Sequence, residues 1–179
     1  MKAFALSGLA GVGKTTATEV AAEEGYPTVS VGDVVREEYD RCAPEASVGE
    51  FVVEMHAAEG VDCFARRAVA AVRERRTVAD GVAPGVVVEG VHSVPSVRAL
   101  REAFGSVTVV WIRAAFERRL DRLRDRDGGQ DAAALLRRDL RELNCGLSAL
   151  ARPLGHDVLV ENDGSLDAYR SRLREVFDR

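Results

Sequence analysis

The feature that most constrains this chain is a glycine-rich segment near its beginning, Gly8-Leu9-Ala10-Gly11-Val12-Gly13-Lys14-Thr15. The segment fits the pattern G-x-x-x-x-G-K-[S/T], known as the P-loop or Walker A pattern. Glycines let such a backbone fold into a concave nest whose N–H groups point at phosphate oxygens. A helix that begins near Lys14 adds the positive end of its dipole. The segment therefore predicts a phosphate-binding loop, which we extend to Thr16.

The residues on both sides of this loop favour the same interpretation. The short apolar run from Lys2 to Ser7 is typical of a strand buried on both faces. After the loop, Ala17, Val20 and Ala21 repeat at helical spacing until Gly25. In such a strand–loop–helix unit we expect Lys14 to reach the β and γ phosphates of a nucleotide and Thr15 to offer its hydroxyl to Mg²⁺.

Four further short apolar runs follow, separated by helical patterns, and they occupy residues 28–31, 86–89, 107–112 and 157–160. This alternation predicts an α/β fold, a three-layer sandwich with a five-stranded parallel sheet and helices on both faces. We expect one domain over residues 1–179. Helical stretches are predicted at residues 33–41, 48–76 with a bend at Gly60, 96–104, 115–126 and 165–177.

One more helix is predicted after Asp131, which can serve as its N-cap. Its apolar residues at helical spacing suggest an inward face made of Leu136, Leu140 and Leu143. Arg137, Arg138 and Arg141 are then expected to point away from the core.

Acidic residues follow two of the predicted strands. Parallel sheets bind ligands beyond the carboxyl ends of their strands, so these acids are expected near the phosphate loop. Glu89 ends the third strand and is our first candidate for a carboxylate that holds Mg²⁺ through water. Asp33, which follows the second strand, is the second candidate. A helix-capping role without a metal is the alternative for Glu89.

Composition excludes several classes of function. With 25 Lys and Arg against 29 Asp and Glu, the net charge is -4, so nucleic-acid binding is possible through a local patch but not favoured. Cys42, Cys63 and Cys145 form no metal-binding or disulfide pattern. Only nine residues up to Leu9 are available for a signal peptide, and no apolar run approaches the roughly 20 residues of a membrane helix. We expect a cytoplasmic protein.

Three segments resemble known nucleotide kinases. Ser30-Val31-Gly32-Asp33-Val34-Val35-Arg36 resembles the segment of adenylate kinases that holds the acceptor nucleotide, and Val88-Glu89-Gly90-Val91-His92-Ser93-Val94-Pro95 is similar to their Asp-Gly-Phe-Pro-Arg stretch. Val160-Glu161-Asn162-Asp163-Gly164-Ser165-Leu166 resembles the end of dephospho-CoA kinases. Over residues 1–178 the chain is most similar to archaeal adenylate-kinase-related proteins described as dephospho-CoA-kinase-like.

This resemblance implies a cofactor and a set of site residues. ATP with Mg²⁺ would bind at the loop, and Asn162 would contribute to the adenine site. The acceptor would lie near Asp33, Arg36, Glu89 and His92, and an acceptor-binding helical segment would span about residues 32–76.

Arginines on both sides of Gly128-Gly129 resemble the lid arginines of the same kinases, which suggests a short lid over about residues 119–141. These arginines are Arg119, Arg122, Arg126, Arg137, Arg138 and Arg141. Such a lid stabilises the transferring phosphoryl group and excludes water. Arg122 and Arg138 are our first choices for catalysis. Surface salt bridges with neighbouring acids are the alternative for each arginine.

The chain also departs from the adenylate-kinase pattern at the acceptor. His92 and Ser93 stand where those enzymes have an arginine, and Val31 stands in place of a threonine. We therefore expect weak binding of a nucleoside monophosphate. His56 and His156 are expected to be structural.

Two functions follow from these residues. The first is a kinase that transfers the γ-phosphoryl group of ATP to a nucleotide-like small molecule, in the class of nucleoside monophosphates or dephospho-CoA. The second is an adenylate-kinase-like ATPase or nucleotide-gated module that binds RNA or protein. The sequence leaves open the identity of the acceptor, the choice between ATP and GTP, and the oligomeric state.

Overall fold

A computed structural model describes residues 2–42, 45–78, 83–128 and 131–178. Its strands are β1 (Lys2–Ser7), β2 (Thr28–Ser30), β3 (Gly85–Glu89), β4 (Thr108–Arg113) and β5 (Val158–Glu161). They form one sheet in the order β2-β3-β1-β4-β5, and every neighbouring pair is parallel. The predicted five-stranded α/β sheet is confirmed.

The helices surround this sheet. They are α1 (Lys14–Glu23), α2 (Val31–Cys42), α3 (Val48–Glu59), α4 (Cys63–Val78), α5 (Val94–Phe104), α6 (Phe116–Asp127), α7 (Ala132–Glu142), α8 (Ser148–Ala151) and α9 (Leu166–Phe177). A π-helical turn at Leu143–Leu147 joins α7 to α8. The stretch predicted at 48–76 is two helices, because Gly60 adopts a φ of +94° and ends α3.

The residues of β1 alternate between two apolar cores. Ala3 and Ala5 pack on one face of the sheet with buried side chains of α4 and α5, such as Ala68 and Leu100. Phe4 and Leu6 pack on the other face with residues of α1 and α9. A strand that is buried on both faces reads as a continuous apolar run, which explains why the sequence predicted it.

The inward face predicted for α7 is wrong. Leu136 and Leu140 are 52% and 53% exposed, whereas Leu135 and Asp139 are buried. The helix is turned by one residue because the Asp139 carboxylate pairs with the buried guanidinium of Arg119 on α6. Asp139 therefore occupies the inward position that the sequence analysis assigned to Leu140.

Two further features concern the cysteines and the lengths of the helices. All three cysteines have free thiols, and only Cys63 is buried. Within the described ranges, no helix has the length and apolar character needed to cross a membrane.

Candidate nucleotide-binding site

The phosphate loop connects β1 to α1, and its shape depends on three glycines. Gly8, Gly11 and Gly13 adopt φ values of +144°, +78° and +100°. A Cβ atom at Gly8 would lie 2.3 Å from the carbonyl oxygen of Ile112, and one at Gly13 would lie 2.4 Å from the Asn162 side chain. Only glycine tolerates both the backbone conformation and these close contacts.

Side chains from four parts of the fold hold the carbonyl oxygens of this loop. The donors, each followed by its acceptors, are Lys14 to Gly8 (2.8 Å) and Leu9 (3.0 Å), Arg119 to Ala10 (3.1 Å), Arg122 to Gly11 (3.3 Å), Asn162 to Val12 (2.8 Å) and Tyr169 to Gly13 (2.9 Å). Six consecutive carbonyl groups are therefore paired. Within a trans peptide group the C=O and N–H point in opposite directions, so the N–H groups that follow these carbonyls point away from the donors that hold them. An anion could accept hydrogen bonds from N–H groups arranged in this way.

The N–H groups of the loop remain available for such a ligand. Among the described residues, no backbone acceptor is bonded to the N–H groups of Ala10, Gly11, Val12 or Gly13. Buried N–H groups without a partner cost free energy, so a phosphate that accepted from them would stabilise the loop.

Lys14 lies among charged groups of both signs. Burial is the main cause that lowers the pKa of its ammonium group, while the nearby carboxylates of Glu89 and Glu142 act in the opposite direction. The lysine is thus placed between the carboxyl edge of the sheet and the end of α7.

Glu89 lies at the carboxyl end of β3, and its role as a magnesium-binding acid stays a prediction. It pairs with Leu6 of β1 and with Ser30 of β2, at the edge where the phosphate loop begins. The next residues are held firmly, since the Ser7 hydroxyl donates to Val91 (2.5 Å) and the N–H of Gly90 donates to Leu6 (3.1 Å). Thr15 is exposed and is the second residue of α1, which follows the phosphate loop.

These residues fit Mg²⁺ if phosphate and water supply the remaining ligands. In the described part of the chain, no group of three or more His, Cys, Asp or Glu can hold a metal ion alone. Mg²⁺ commonly keeps several waters and binds one or two carboxylates together with substrate phosphates. The second candidate, Asp33, forms an ion pair with Arg36, which gives its carboxylate another partner.

The predicted acceptor residues lie on two neighbouring segments. Asp33 and Arg36 are exposed on the first turns of α2, and the Arg36 guanidinium lies close to Gly32. Gly90 also lies against Val31 and Gly32, so the segment after β3 is adjacent to the start of α2. Burial and the nearby Lys14 lower the pKa of His92 to about 4, which makes its imidazole neutral at pH 7.

The arginines of the predicted lid take different positions. Arg122 donates to Gly11 and to the backbone oxygen of Asn162 (2.7 Å), so it supports the phosphate loop. Arg138 donates to Glu142 (2.8 Å) and lies near Lys14 and His92. The catalytic roles of Arg122 and Arg138 stay predictions. Gly129, in the predicted break, lies outside the described residues.

Sequence reasoning missed three residues of this site. Arg119 was assigned to the lid group, but its guanidinium is buried behind the loop. Asp139 and Tyr169 were not singled out, because an acid or a tyrosine at a helical position carries no motif. Their contacts join residues 20 and 156 positions apart in the chain.

A solvent-open cleft of about 730 Å³ lies between α3 and α7. It is lined by Ser47, Gly49, Glu50, Val53, Glu54 and Arg141. Glu50 also completes a capping box with Ser47 at the start of α3.

Comparison with known proteins places this geometry in a family. A family model described as an AAA domain matches residues 5–140. A UPF0200 protein of Methanoregula boonei is 31% identical over 99% of this chain and 96% of its own length. Another, of Methanothrix thermoacetophila, is 35% identical over 99% of this chain and 97% of its own length. A UPF0200/UPF0201 protein of Archaeoglobus fulgidus is 35% identical, and this chain spans 55% of its length.

Several solved structures share the fold. TT1252 of Thermus thermophilus superposes with a TM-score of 0.64 at 19% identity, covering 98% of this chain and 96% of its own. A shikimate kinase of Bacteroides thetaiotaomicron gives 0.63 at 17% identity, with coverages of 99% and 98%. A gluconokinase of Sinorhizobium meliloti gives 0.59 at 19% identity, with coverages of 99% and 94%. The chain shares a P-loop kinase-like fold with these structures, and it belongs to the AAA-domain family and to the UPF0200 proteins.

Proposed function

We propose that this chain is an ATP-dependent kinase that transfers the γ-phosphoryl group to a nucleotide-like small molecule. The observation that carries the proposal is the phosphate loop, whose six carbonyl groups are paired with side chains while the N–H groups of residues 10–13 have no backbone partner among the described residues. Nothing in the packing of β1 against α1 demands such a loop. A nucleoside monophosphate or dephospho-CoA is the acceptor class that we favour.

The nucleotide would be bound through its phosphates, its base and its Mg²⁺ ion. The loop N–H groups and Lys14 would hold the β and γ phosphates, and Asn162 would lie toward the base. Thr15 and Glu89 would hold Mg²⁺, which supplies charge neutralisation at the β and γ oxygens when it is bound.

The transfer itself would depend on position and charge more than on covalent chemistry. Arg138 lies near Lys14 and is oriented by Glu142, so it is the candidate for a second cation at the transferring group. The acceptor would meet Asp33 and Arg36 at the start of α2 and His92 in the segment after β3.

The kinases among the structures that share the fold support a kinase activity, but they do not identify the acceptor of this chain. Two of them are a shikimate kinase, which is 17% identical to this chain, and a gluconokinase, which is 19% identical. The adenylate-kinase-like segments around Asp33 and Glu89 favour a nucleotide-like acceptor over a sugar acid.

A screen of acceptors tests the proposal. The purified chain would be incubated with γ-labelled ATP, Mg²⁺ and single acceptors, including AMP, CMP, dephospho-CoA, shikimate and gluconate. We expect one labelled product whose mass is that of the acceptor plus one phosphoryl group, and none with Lys14→Ala. If the label appears only as inorganic phosphate with every acceptor, the kinase proposal is wrong.

One observation favours the second candidate, an ATPase or nucleotide-gated binding module. Arg36 is engaged by Asp33 and His92 is neutral, so the acceptor side offers little unpaired positive charge. This candidate would show ATP hydrolysis without product and nucleotide-dependent binding of RNA or protein. Binding of RNA would weaken steeply as salt is raised.

A further inference from the structure

We propose that Arg119 and Asp139 act as a strut that fixes the phosphate loop relative to α7, and that Asp139 is a positioning residue for nucleotide binding. This inference rests on the proposed nucleotide site and adds to it a residue outside the loop. It depends only on ATP binding and is independent of the identity of the acceptor.

The pair has the geometry of a strong, specific contact. The two terminal nitrogens of Arg119 donate to the two carboxylate oxygens of Asp139 at 2.9 Å and 2.6 Å. Their side chains are only 5% and 7% exposed. Such bidentate pairs fix direction as well as distance.

The same guanidinium also contacts the loop. The Arg119 nitrogen that donates to Asp139 at 2.9 Å also donates to the carbonyl oxygen of Ala10 at 3.1 Å. Ala10 is itself buried, in a small apolar cluster with Leu120 and Leu123 of α6 and Leu135 of α7. One charged group therefore joins α6, α7 and the middle of the phosphate loop in a dry environment.

The loop packs closely enough on α6 for this contact to matter. A Cβ atom at Gly11 would lie 2.9 Å from the backbone oxygen of Arg119. If Arg119 were turned away, the Ala10 carbonyl would be left buried without a donor, which is costly. A rotation of the peptide that follows Ala10 would relieve this cost but would direct an oxygen, rather than an N–H group, at a bound phosphate.

The other end of the strut, Asp139, is next to Arg138 in the chain. This arginine precedes Asp139 in α7, and its Nε donates to Glu142 one turn later. With Asp139 fixed by two hydrogen bonds, α7 cannot move away from the loop unless the buried pair breaks. The part of the predicted lid formed by α7 is thus tied to the phosphate loop.

Stability alone does not explain such a pair. Buried ion pairs can often be replaced by apolar residues of similar volume with no loss of stability, or with a gain. Apolar side chains cannot donate a hydrogen bond to Ala10, however. Replacing both partners therefore separates a role in folding from a role in positioning.

The experiment compares three variants with the native chain. The first variant, Arg119→Met with Asp139→Leu, replaces both partners of the buried pair. The second, Arg119→Lys, keeps the positive charge but loses the two-pronged guanidinium. The third, Arg172→Met with Glu175→Leu, removes an exposed ion pair of α9 and is the matched control. Tm is measured by calorimetry, and the Kd of ATP with Mg²⁺ by isothermal titration. We expect the buried double variant to remain folded, with a Tm no more than about 10 °C below native because Ala10 loses its donor, but to bind ATP about tenfold more weakly. The control should change neither.

Each outcome decides the proposal. If the buried double variant is unstable, the Arg119→Lys variant provides the test instead. This variant should remain folded and bind ATP about tenfold more weakly than the native chain. Native affinity for ATP in a folded variant of either kind would overturn the strut and leave the proposed function intact. If the native chain binds no ATP, the nucleotide site itself is wrong and the strut has no role in it.

Discussion

The ammonium group of Lys14 lies 2.8 Å from the carbonyl oxygen of Gly8, the residue at the other end of the same loop. A second bond to Leu9 (3.0 Å) completes this closed arrangement. The lysine thus closes its own loop and also presents its charge near Glu89 and Glu142. It therefore has a structural role within the loop, and we propose that it also binds the phosphates of a nucleotide.

We expect Lys14→Ala to abolish turnover and to weaken ATP binding at least about tenfold, because a charge-assisted contact to phosphate is lost. The fold should persist, since the loop lies at the edge of the sheet. Isothermal titration measures the affinity and circular dichroism the fold. Lys2→Ala, which alters the only other lysine and an exposed side chain, is the control. Unchanged ATP affinity in a folded Lys14→Ala protein would contradict the assignment of the loop.

The sequence predicted the parts of this site that depend on local chemistry. The loop, the strand before it and the acid at the end of β3 each follow from a short pattern, and the observed strand order places β3 beside β1. The sequence did not reveal which helical residues support the loop from behind. Tyr169 and Arg119 reach Gly13 and Ala10 only because α9 and α6 pack there.

The error in α7 has a clear physical origin. Leu135 and Leu136 are adjacent, so a helical pattern of leucines allows two inward faces that differ by about 100°. The face with Leu136 and Leu140 is the more apolar one, and it is therefore the one that sequence reasoning selects. The actual face contains Asp139, whose burial is acceptable only because Arg119 neutralises it. A pattern of hydrophobicity cannot anticipate such a pair.

Glu89→Gln should lower Mg²⁺-dependent turnover more than it lowers nucleotide affinity. The amide keeps the shape of the side chain but loses the charge that would hold the water shell of the ion. Turnover is measured over a titration of Mg²⁺ and compared with Glu117→Gln, an exposed acid in the first turn of α6. Equal activity at every Mg²⁺ concentration would transfer the metal role to Asp33 or another acid.

The neutral state of His92 predicts a pH dependence of stability. Its pKa is about 4 in the folded chain against an ordinary value of 6.5, so the unfolded chain binds more protons between these values. The stabilising contribution is complete above the unfolded pKa and is lost as pH falls toward the folded pKa. Between about pH 7.5 and about pH 5 the free energy of unfolding should fall by about 2 kcal/mol through this residue.

Urea unfolding of the native chain and of His92→Gln measures this difference. The variant should lose less stability over the same range, while His56, whose pKa burial also lowers, contributes equally to both proteins. Parallel losses in the two proteins would show that His92 titrates in the folded chain much as it does in the unfolded one.

The last prediction concerns the acceptor. Arg36 is the one arginine that matches the acceptor-binding pattern, but Asp33 engages it, and the neighbouring His92 carries no charge at pH 7. Each charge-assisted hydrogen bond contributes about 1.5 to 3 kcal/mol, so a phosphate held by one shared arginine binds weakly. We therefore expect weak turnover of AMP and a preference for a larger acceptor, such as dephospho-CoA, whose other contacts make up the difference.

Steady-state kinetics with AMP, dephospho-CoA and other nucleoside monophosphates would compare the native chain with His92→Arg. The added arginine should lower the KM for AMP, because it supplies the cation that the native pocket lacks. If the native chain already uses AMP better than the larger acceptors and His92→Arg changes neither kcat nor KM, the charge at this position does not select the acceptor.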